Sequence, residues 1–339
     1  MEVRDELQAT VEGLVDGRRG ILAADESSGT IAKRFNSIGV ESTEENRRNY
    51  RAALLGAEGL GQYVSGVILF EETLGQCCDR GAPLAQVAVA QNIVPGIKVD
   101  KGKGPLPGAT GDMITYGLDG LAERLRNYKE QGARFAKWRE VYPVSPHNPT
   151  DLGLRANAEM LARYAAVCQA EGVVPIVEPE VLMDGSHGIE RCAEVNEQVW
   201  HTVFHALYRH GVTLELMLLK PSMVTPGAEL ARVEPQQVAE QTLRRLRRAV
   251  PAAVPSINFL SGGQGNDEAS ENLNALNQLN DAPWQLSFSY GRALQQPALA
   301  AWAGQSENTV AAQRALVHRA RMNHLAMLGQ YRSGLEQES

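Results

Sequence analysis

The chain has 339 residues, of which 43% are hydrophobic and 22% charged, and its formal net charge is −7. This composition is typical of a soluble globular protein, and the negative charge excludes a general attraction to nucleic acid or to an anionic membrane. The four cysteines form neither a CxxC motif nor a secretory framework, which favours a reducing compartment. No signal peptide or apolar run of bilayer-spanning length occurs. We therefore expect a cytoplasmic protein.

Short apolar runs recur along the chain, and segments of helical composition separate them. The runs predict eight strands, at residues 20–24, 64–70, 94–99, 135–139, 173–178, 214–220, 256–260 and 284–290. Segments rich in Ala, Leu, Glu, Arg and Gln predict helices, among them 43–55, 118–132, 157–171, 188–210, 235–249 and 267–278. Eight strands separated by helices predict an α/β fold, the (β/α)8 TIM barrel.

The sequence indicates one domain over residues 1–339, because no linker or change of composition divides it. Residues 1–19 are expected to form an N-terminal helical extension. Residues 310–339 are expected to form a C-terminal helix and a mobile polar tail. Loops 101–110 and 142–150, dense in Gly and Pro, follow the third and fourth strands on the face where barrel enzymes place their active sites.

Lys220 ends an almost unbroken apolar run, and Pro221 stops that run. A buried parallel strand would bring Lys220 to the carboxyl-terminal edge of the sheet. A lysine there either reaches water, which is the commoner case, or attacks a substrate carbonyl to form a Schiff base. The second role requires that a pKa of about 10.4 falls by roughly 3 units. An apolar wall and a nearby second cation can supply that shift.

Charged side chains also end three other predicted strands. Asp25 follows the first strand, where its alternative role is to cap the next helix. Lys137 and Arg139 share one face of the fourth strand, and Glu178 and Glu180 share one face of the fifth. Each charge taken alone is more simply a solvated side chain. Charges that converge inside a barrel, however, must pair with one another or bind a ligand.

The ends of the last two strands predict a phosphate site. Two clusters stand there: Ser261, Gly262 and Gly263 after the seventh strand, and Ser289, Gly291 and Arg292 at the end of the eighth and just beyond it. Loops at these positions often bind a phosphate through glycine amides, and an arginine can neutralise the anion. Ser27 and Thr30 can cap the helix after the first strand or donate to an anion, and Lys98 ends the third strand.

Taken together, these residues indicate Schiff-base carbon–carbon chemistry on a phosphorylated sugar. They offer an amine nucleophile, a second lysine, carboxylates for proton transfer and phosphate donors. His201 and His205 lie one helical turn apart but lack a third ligand, so we interpret them as a surface pair and expect no metal and no cofactor. The arginine-rich run 244–248 is interpreted as a solvated helix face.

Longer motifs in the sequence resemble those of class I fructose-1,6-bisphosphate aldolases from about residue 20 to about residue 326. The motifs are ILAADES, GVILFEETL, GIKVDKG, FAKWR, IVEPE, LLKPSMVTPG, FLSGGQ and FSYGRALQ. The resemblance implies a metal-independent lyase of glycolysis and gluconeogenesis. Such an enzyme reversibly cleaves fructose 1,6-bisphosphate to dihydroxyacetone phosphate and glyceraldehyde 3-phosphate through a lysine Schiff base. The implied partners are phosphorylated ketoses, triose phosphates and further copies in a homotetramer, without nucleic acid or membrane.

The same resemblance implies roles for individual residues. Lys220 would form the Schiff base, Glu178 would act as acid and base in carbinolamine dehydration, and Lys137 would be the tuning cation. Asp25 would take the C4 hydroxyl proton, and Glu180 would support it. The implied substrate contacts are Ser261, Gly262, Gly291 and Arg292 for the 1-phosphate, Ser27, Thr30 and Lys98 for the 6-phosphate, and additionally Arg139, Gly263 and Ser289.

The sequence departs from the animal members of this family in three places. Nothing aligns with their terminal tyrosine, Ser222 stands where they usually have asparagine, and Thr30 replaces a serine. The compact C-terminus leads us to expect a bacterial-type member. Preference among fructose 1,6-bisphosphate, fructose 1-phosphate and sedoheptulose bisphosphate stays open. The alternatives are another Schiff-base barrel enzyme, similar to transaldolase or deoxyribose-phosphate aldolase, and a scaffold protein that has lost catalysis.

Overall fold

The computed structural model describes residues 2–337, in which ten strands form a closed barrel and a hairpin. The strands are β1 (Gly20–Ala24), β2 (Val64–Leu69), β3 (Val94–Lys98), β4 (Lys103–Pro105), β5 (Met113–Thr115), β6 (Phe135–Tyr142), β7 (Val174–Val181), β8 (Leu218–Leu219), β9 (Ser256–Phe259) and β10 (Gln285–Tyr290). The barrel order is β1-β2-β3-β6-β7-β8-β9-β10, all parallel, and β10 closes onto β1. The TIM barrel predicted from the sequence is therefore confirmed. Strand β4 lies within the loop expected at 101–110, and it pairs antiparallel with β5, which follows that loop.

Helices separate the strands and form the outer layer. Their bounds are α1 (Val3–Val15), α2 (Ser28–Asn36), α3 (Glu44–Leu55), α4 (Glu71–Leu74), α5 (Leu84–Val89), α6 (Leu121–Glu130), α7 (Asp151–Ala170), α8 (Ile189–Arg209), α9 (Pro235–Ala249), α10 (Asn266–Leu279), α11 (Arg292–Trp302) and α12 (Thr309–Met327). The larger apolar core lies between strands and helices. It consists of the outward-facing strand residues and the apolar helix faces, as helical and strand periodicity requires.

A second, smaller apolar cluster fills the lower part of the barrel. Inward-facing residues such as Ile21 and Ile176 contribute to it, and α1 adds Leu7, Val11 and Leu14. These three residues follow helical spacing, so they lie on one face of α1. The expected N-terminal extension thus closes the barrel at the end opposite to the cavity described below.

The strand predicted at 214–220 is shorter than expected. Only Leu218–Leu219 belongs to the sheet, and a 3₁₀ turn precedes it. The side chain of Gln169 on α7 accepts from the amide of Thr213 at 2.9 Å and donates to its carbonyl at 2.8 Å. The same side chain donates to the carbonyl of Leu216 at 3.1 Å, a backbone group that a longer strand would have paired with the sheet. Lys220 still ends the strand, because its amide donates to a β7 carbonyl at 2.8 Å.

The segment after α12 packs against the body of the protein. Residues Ser333–Gln337 form a 3₁₀ turn, and Glu336 forms an ion pair with Arg319 and accepts from the hydroxyl of Tyr331 at 2.8 Å. These contacts hold the first part of the tail that was expected to be mobile. Glu338 and Ser339 lie outside the described residues.

The strand β6 has a charged inner face and a buried outer face. Lys137 and Arg139 line the cavity, whereas Trp138 belongs to the outer core and Glu140 is fully buried. Glu140 accepts from Nε1 of Trp138 at 2.8 Å and from the amide of Thr115 at 3.1 Å. Burial nevertheless raises the pKa of Glu140 to about 8, because ionisation in an apolar environment is unfavourable.

Glu140 should make stability depend on pH. Its folded-state pKa lies above the unfolded value of about 4.3, so the folded protein binds more protons between these values and stability falls as pH rises from about 5 to about 8. The variant Glu140→Gln removes this titration. Its free energy of unfolding relative to the parent should therefore rise by about 1–3 kcal/mol across that window. Urea unfolding at pH 5.5, 7 and 8 measures the difference, with Glu130→Gln on the exposed end of α6 as control. A difference that does not change with pH would contradict this expectation.

Candidate active site

The carboxyl-terminal ends of the barrel strands surround an open cavity of about 460 Å³. Fourteen of the residues predicted to bind substrate or to catalyse its reaction line the cavity: Asp25, Ser27, Thr30, Lys98, Lys137, Arg139, Glu178, Glu180, Lys220, Ser261, Gly262, Ser289, Gly291 and Arg292. The barrel geometry brings them together because all eight parallel strands end at the same rim.

Four buried side chains form a continuous chain of charges at the base of the cavity. Nζ of Lys220 lies 3.1 Å from Oε1 of Glu178, and Nζ of Lys137 lies 3.2 Å from its Oε2. Lys137 also lies 2.7 Å from Oδ2 of Asp25. Each of these four residues is at most 9% exposed. Glu178 therefore connects the candidate nucleophile to the second lysine, and Asp25 ends the chain.

The pair formed by Asp25 and Lys137 is ionised. Burial opposes the charge of Asp25, but Lys137, with smaller contributions from Lys220 and Lys98, holds the pKa of this carboxyl well below its ordinary value. Burial likewise opposes the charge of Lys137, but Asp25 and Glu178 together raise its pKa well above the ordinary lysine value. Asp25 contacts this ammonium and lies before α2, which begins at Ser28, so it is not the helix cap that the sequence also allowed.

Three further ion pairs line the rim above this chain. Nη1 of Arg139 lies 2.7 Å from Oε2 of Glu180. Burial lowers the pKa of the Arg139 guanidinium, but the carboxylates of Glu180 and Glu178 have the larger effect and raise this pKa above its ordinary value. Nζ of Lys98 lies 2.6 Å from Oδ1 of Asp100. The third pair joins Lys101 to Glu71 at 2.6 Å.

Glu26 is a buried carboxylate to which the sequence assigned no role. Its Oε2 lies 2.6 Å from Nη1 of Arg51, it forms a second ion pair with Arg34, and Gln295 donates to its Oε1 at 2.8 Å. Arg34 is thereby held at the cavity wall. The sequence feature that could have indicated a role for Glu26 is its position directly after Asp25 at a strand end. Its three partners are distant in sequence or on other elements, so the pairing itself could not be predicted.

The predicted phosphate cradle occupies the ends of β9 and β10. Gly262 has a φ of 54°, a left-handed conformation that favours glycine, and its carbonyl accepts from Nη2 of Arg292 at 3.2 Å. Oγ of Ser289 is buried and has no hydrogen-bond partner among residues 2–337. This hydroxyl and the Arg292 guanidinium are the kinds of groups that bind an anion.

Gly263, which was also predicted to contact phosphate, does not line the cavity. Its amide donates to Sδ of Met183 at 3.2 Å and is therefore occupied by the loop after β7. Met183 has no feature in the sequence that would have indicated this contact.

The remaining polar motifs lie outside the cavity. His201 and His205 are exposed on α8, and Arg245 and Arg248 on α9 form ion pairs with Glu197. No group of three or more His, Cys, Asp or Glu residues suited to a metal ion occurs between residues 2 and 337. In that same range, no helix combines the length and apolar character needed to cross a membrane.

Comparison with known proteins gives one consistent family. The family model described as fructose-bisphosphate aldolase class-I matches residues 6–339. A chloroplastic fructose-bisphosphate aldolase from Oryza sativa is 54% identical over 97% of this chain and 84% of its own length. Fructose-bisphosphate aldolase 6, cytosolic, from Arabidopsis thaliana is 53% identical over 97% of this chain and 92% of its own length.

A solved structure gives the same result for the fold. The fructose-bisphosphate aldolase of Plasmodium falciparum, in complex with TRAP and a small molecule inhibitor, has a TM-score of 0.96 and 51% identity. The match covers 98% of this chain and 96% of that one. These relatives come from plants and a protozoan, so they lend no support to the expectation of a bacterial-type member.

Removing the central ammonium should destabilise the fold. The variant Lys137→Met leaves Asp25 buried without its cation and removes one of two cations from Glu178, so the free energy of unfolding at pH 8 should fall by about 3 kcal/mol. The loss should be smaller at pH 5, because the uncompensated carboxyls can then take up protons. Urea unfolding at both pH values measures this effect. Lys33→Met, at an exposed position on α2, is the matched control. An equal loss at both pH values would show that the charge chain is not the cause.

Proposed function

The chain belongs to the class I fructose-bisphosphate aldolase family, and from this premise we propose how its side chains divide the reaction. The protein is a metal-independent lyase that reversibly cleaves fructose 1,6-bisphosphate to dihydroxyacetone phosphate and glyceraldehyde 3-phosphate through a lysine Schiff base. The family match decides against the other Schiff-base barrel families considered from the sequence. The observation that carries the assignment of roles is the buried charge chain from Lys220 through Glu178 and Lys137 to Asp25.

We propose that Lys220 is the nucleophile and Glu178 its proton-transfer partner. Once Lys220 has lost a proton, its nitrogen attacks the C2 carbonyl of the ketose and forms a carbinolamine. Glu178 lies 3.1 Å from that nitrogen and can protonate the departing hydroxyl, which leaves as water. The product is a protonated imine. This cation withdraws electrons from the adjacent carbon–carbon bond and so prepares the cleavage.

Asp25 is proposed to be the base for the cleavage itself. It takes the proton of the C4 hydroxyl while the C3–C4 bond breaks, the aldehyde leaves, and the bonding electrons pass to the imine to give an enamine. While Asp25 contacts Lys137 at 2.7 Å, its depressed pKa makes it a weak base. We therefore infer that substrate binding moves Lys137 away from Asp25 and towards Glu178 or the substrate. Glu180, which is paired with Arg139, supports the charge at the rim.

Two separate anchors are proposed to hold the acyclic sugar in the orientation that the reaction requires. The 1-phosphate would bind at the cradle residues, which are Ser261, Gly262, Ser289, Gly291 and Arg292. The 6-phosphate would bind near Ser27, Thr30 and Lys98 at the ends of β1 and β3, with Arg139 nearby. Fixing both ends places C2 at the amine and C4 at the base, which lowers the entropic part of the barrier.

Replacing the nucleophile should abolish covalent trapping. Borohydride reduction in the presence of dihydroxyacetone phosphate should attach the ligand at Lys220, because reduction makes the imine permanent. Lys220→Ala should remove this labelling, whereas Lys33→Ala should keep it. Mass spectrometry of the digested protein locates the adduct. Labelling that persists in Lys220→Ala, or that is missing in the parent, would contradict the proposal that Lys220 is the nucleophile.

Replacing the proposed base should separate the two half-reactions. Asp25→Asn should lower kcat for cleavage of fructose 1,6-bisphosphate by about 10²- to 10⁴-fold, because no group then takes the C4 hydroxyl proton. Trapping of dihydroxyacetone phosphate at Lys220 should persist, since imine formation does not use Asp25. Asp16→Asn, at an exposed position, is the control. A loss of trapping as large as the loss of kcat would assign Asp25 to imine formation instead.

We further infer a cytoplasmic homotetramer. The cytosolic relative supports the location, although the rice relative is chloroplastic. The tetramer rests on the family resemblance alone. Light scattering coupled to gel filtration should give about four times the chain mass of 36.8 kDa. A mass of one chain at micromolar concentration would contradict the assembly.

A further inference from the structure

The charges around the cavity are paired with two exceptions. Six of its cationic side chains contact carboxylates, namely Arg34, Lys98, Lys101, Lys137, Arg139 and Lys220. Two cations that line the cavity contact no carboxylate in the part of the chain from Glu2 to Gln337, and these are Arg292 and Lys103. The cavity therefore carries excess positive charge in a protein whose net charge is −7.

The two unpaired cations stand at separate walls of the cavity. Arg292 follows β10 at the phosphate cradle, whereas Lys103 begins the hairpin that follows β3. The strands β1 and β2 lie between β10 and β3 in the barrel. Lys103 thus belongs to the wall of Lys98, on the side proposed for the 6-phosphate.

The hairpin holds Lys103 in a defined position. Lys103 is paired with Thr115 across the two strands, and the hydroxyl of Thr115 donates to the carbonyl of Arg139 at 2.8 Å. At the base of the hairpin, the amide of Lys101 donates to the carbonyl of Tyr116 at 2.8 Å. The backbone under Lys103 is therefore tied to β6, and its side chain extends from a fixed point at the cavity rim.

We propose that Lys103 binds the phosphate at the end of the substrate remote from the cradle, and so makes the site select bisphosphorylated sugars. This inference rests on the proposed function. The neighbouring Lys98 is partly neutralised by Asp100 at 2.6 Å, so a phosphate dianion at this wall needs a second cation. The ammonium of Lys103 is a mobile point charge without a competing carboxylate, which suits that task.

The variant Lys103→Gln tests the proposal when kcat/KM is measured for fructose 1,6-bisphosphate and for fructose 1-phosphate. The bisphosphate value should fall by about threefold to fivefold, mainly through KM, because the lost contact is a partly solvated ion pair. The monophosphate value should not change, since this substrate has no group at that wall. Raising the ionic strength from 50 to 200 mM should reduce the effect. Lys103→Arg should keep the parent selectivity.

Matched controls separate the possible outcomes. Lys33→Gln on α2 makes the same change of charge outside the cavity and should leave both values unchanged. An equal fall for both substrates in Lys103→Gln would mean general attraction of anions and would overturn the proposal. No change for either substrate would make Lys103 a solvated lysine and would overturn it as well. Trapping of dihydroxyacetone phosphate at Lys220 should persist in Lys103→Gln, and its absence in the parent would count against the proposed function instead.

Discussion

The structure depends most on the carboxylate of Glu178, which contacts the nitrogens of two buried lysines at once. A buried charge is unfavourable by several kcal/mol unless it is paired, and Glu178 supplies a carboxylate to Lys220 and, together with Asp25, to Lys137. These contacts in turn require the strand register, in which Arg139 pairs with Glu178 between β6 and β7, and Val177 pairs with Leu219 between β7 and β8. The strand pairing that builds the sheet therefore also positions Glu178 between Lys137 and Lys220.

Along the barrel axis, the apolar residues that stabilise the fold lie at one end and the charged residues of the cavity lie at the other. The lower part is apolar and is closed by α1, whose residues Leu7, Val11 and Leu14 pack on inward-facing strand residues. The upper part holds the ionised groups and opens to the cavity. The apolar lower part stabilises the strands without ion pairs. The charged groups at the rim are therefore not all needed for stability, and their excess positive charge can attract a phosphorylated substrate.

Much of the fold and many of the candidate residues could be predicted from local patterns. The strands before Asp25, Lys98 and Lys220 are short apolar runs, and parallel strands bring their ends to one rim. What could not be predicted depends on contacts between distant segments. Gln169 of α7 binds the backbone of the 3₁₀ turn before Lys220, and Glu26 contacts side chains from α2, α3 and α11. Such contacts need three-dimensional positions, which hydrophobic periodicity does not supply.

The ion pair between Glu336 and Arg319 ties the segment after α12 to a side chain that is buried inside the protein. Arg319 is 3% exposed on α12, and it also donates to the carbonyl of Asn266 and to the hydroxyl of Ser270 at the start of α10. This helix follows the loop after β9, which carries Ser261 and Gly262 at the cavity. Loss of the Glu336 carboxylate would consequently remove one ion-pair partner from a buried guanidinium that also binds the first turns of α10, although Glu336 is far from that helix in the sequence.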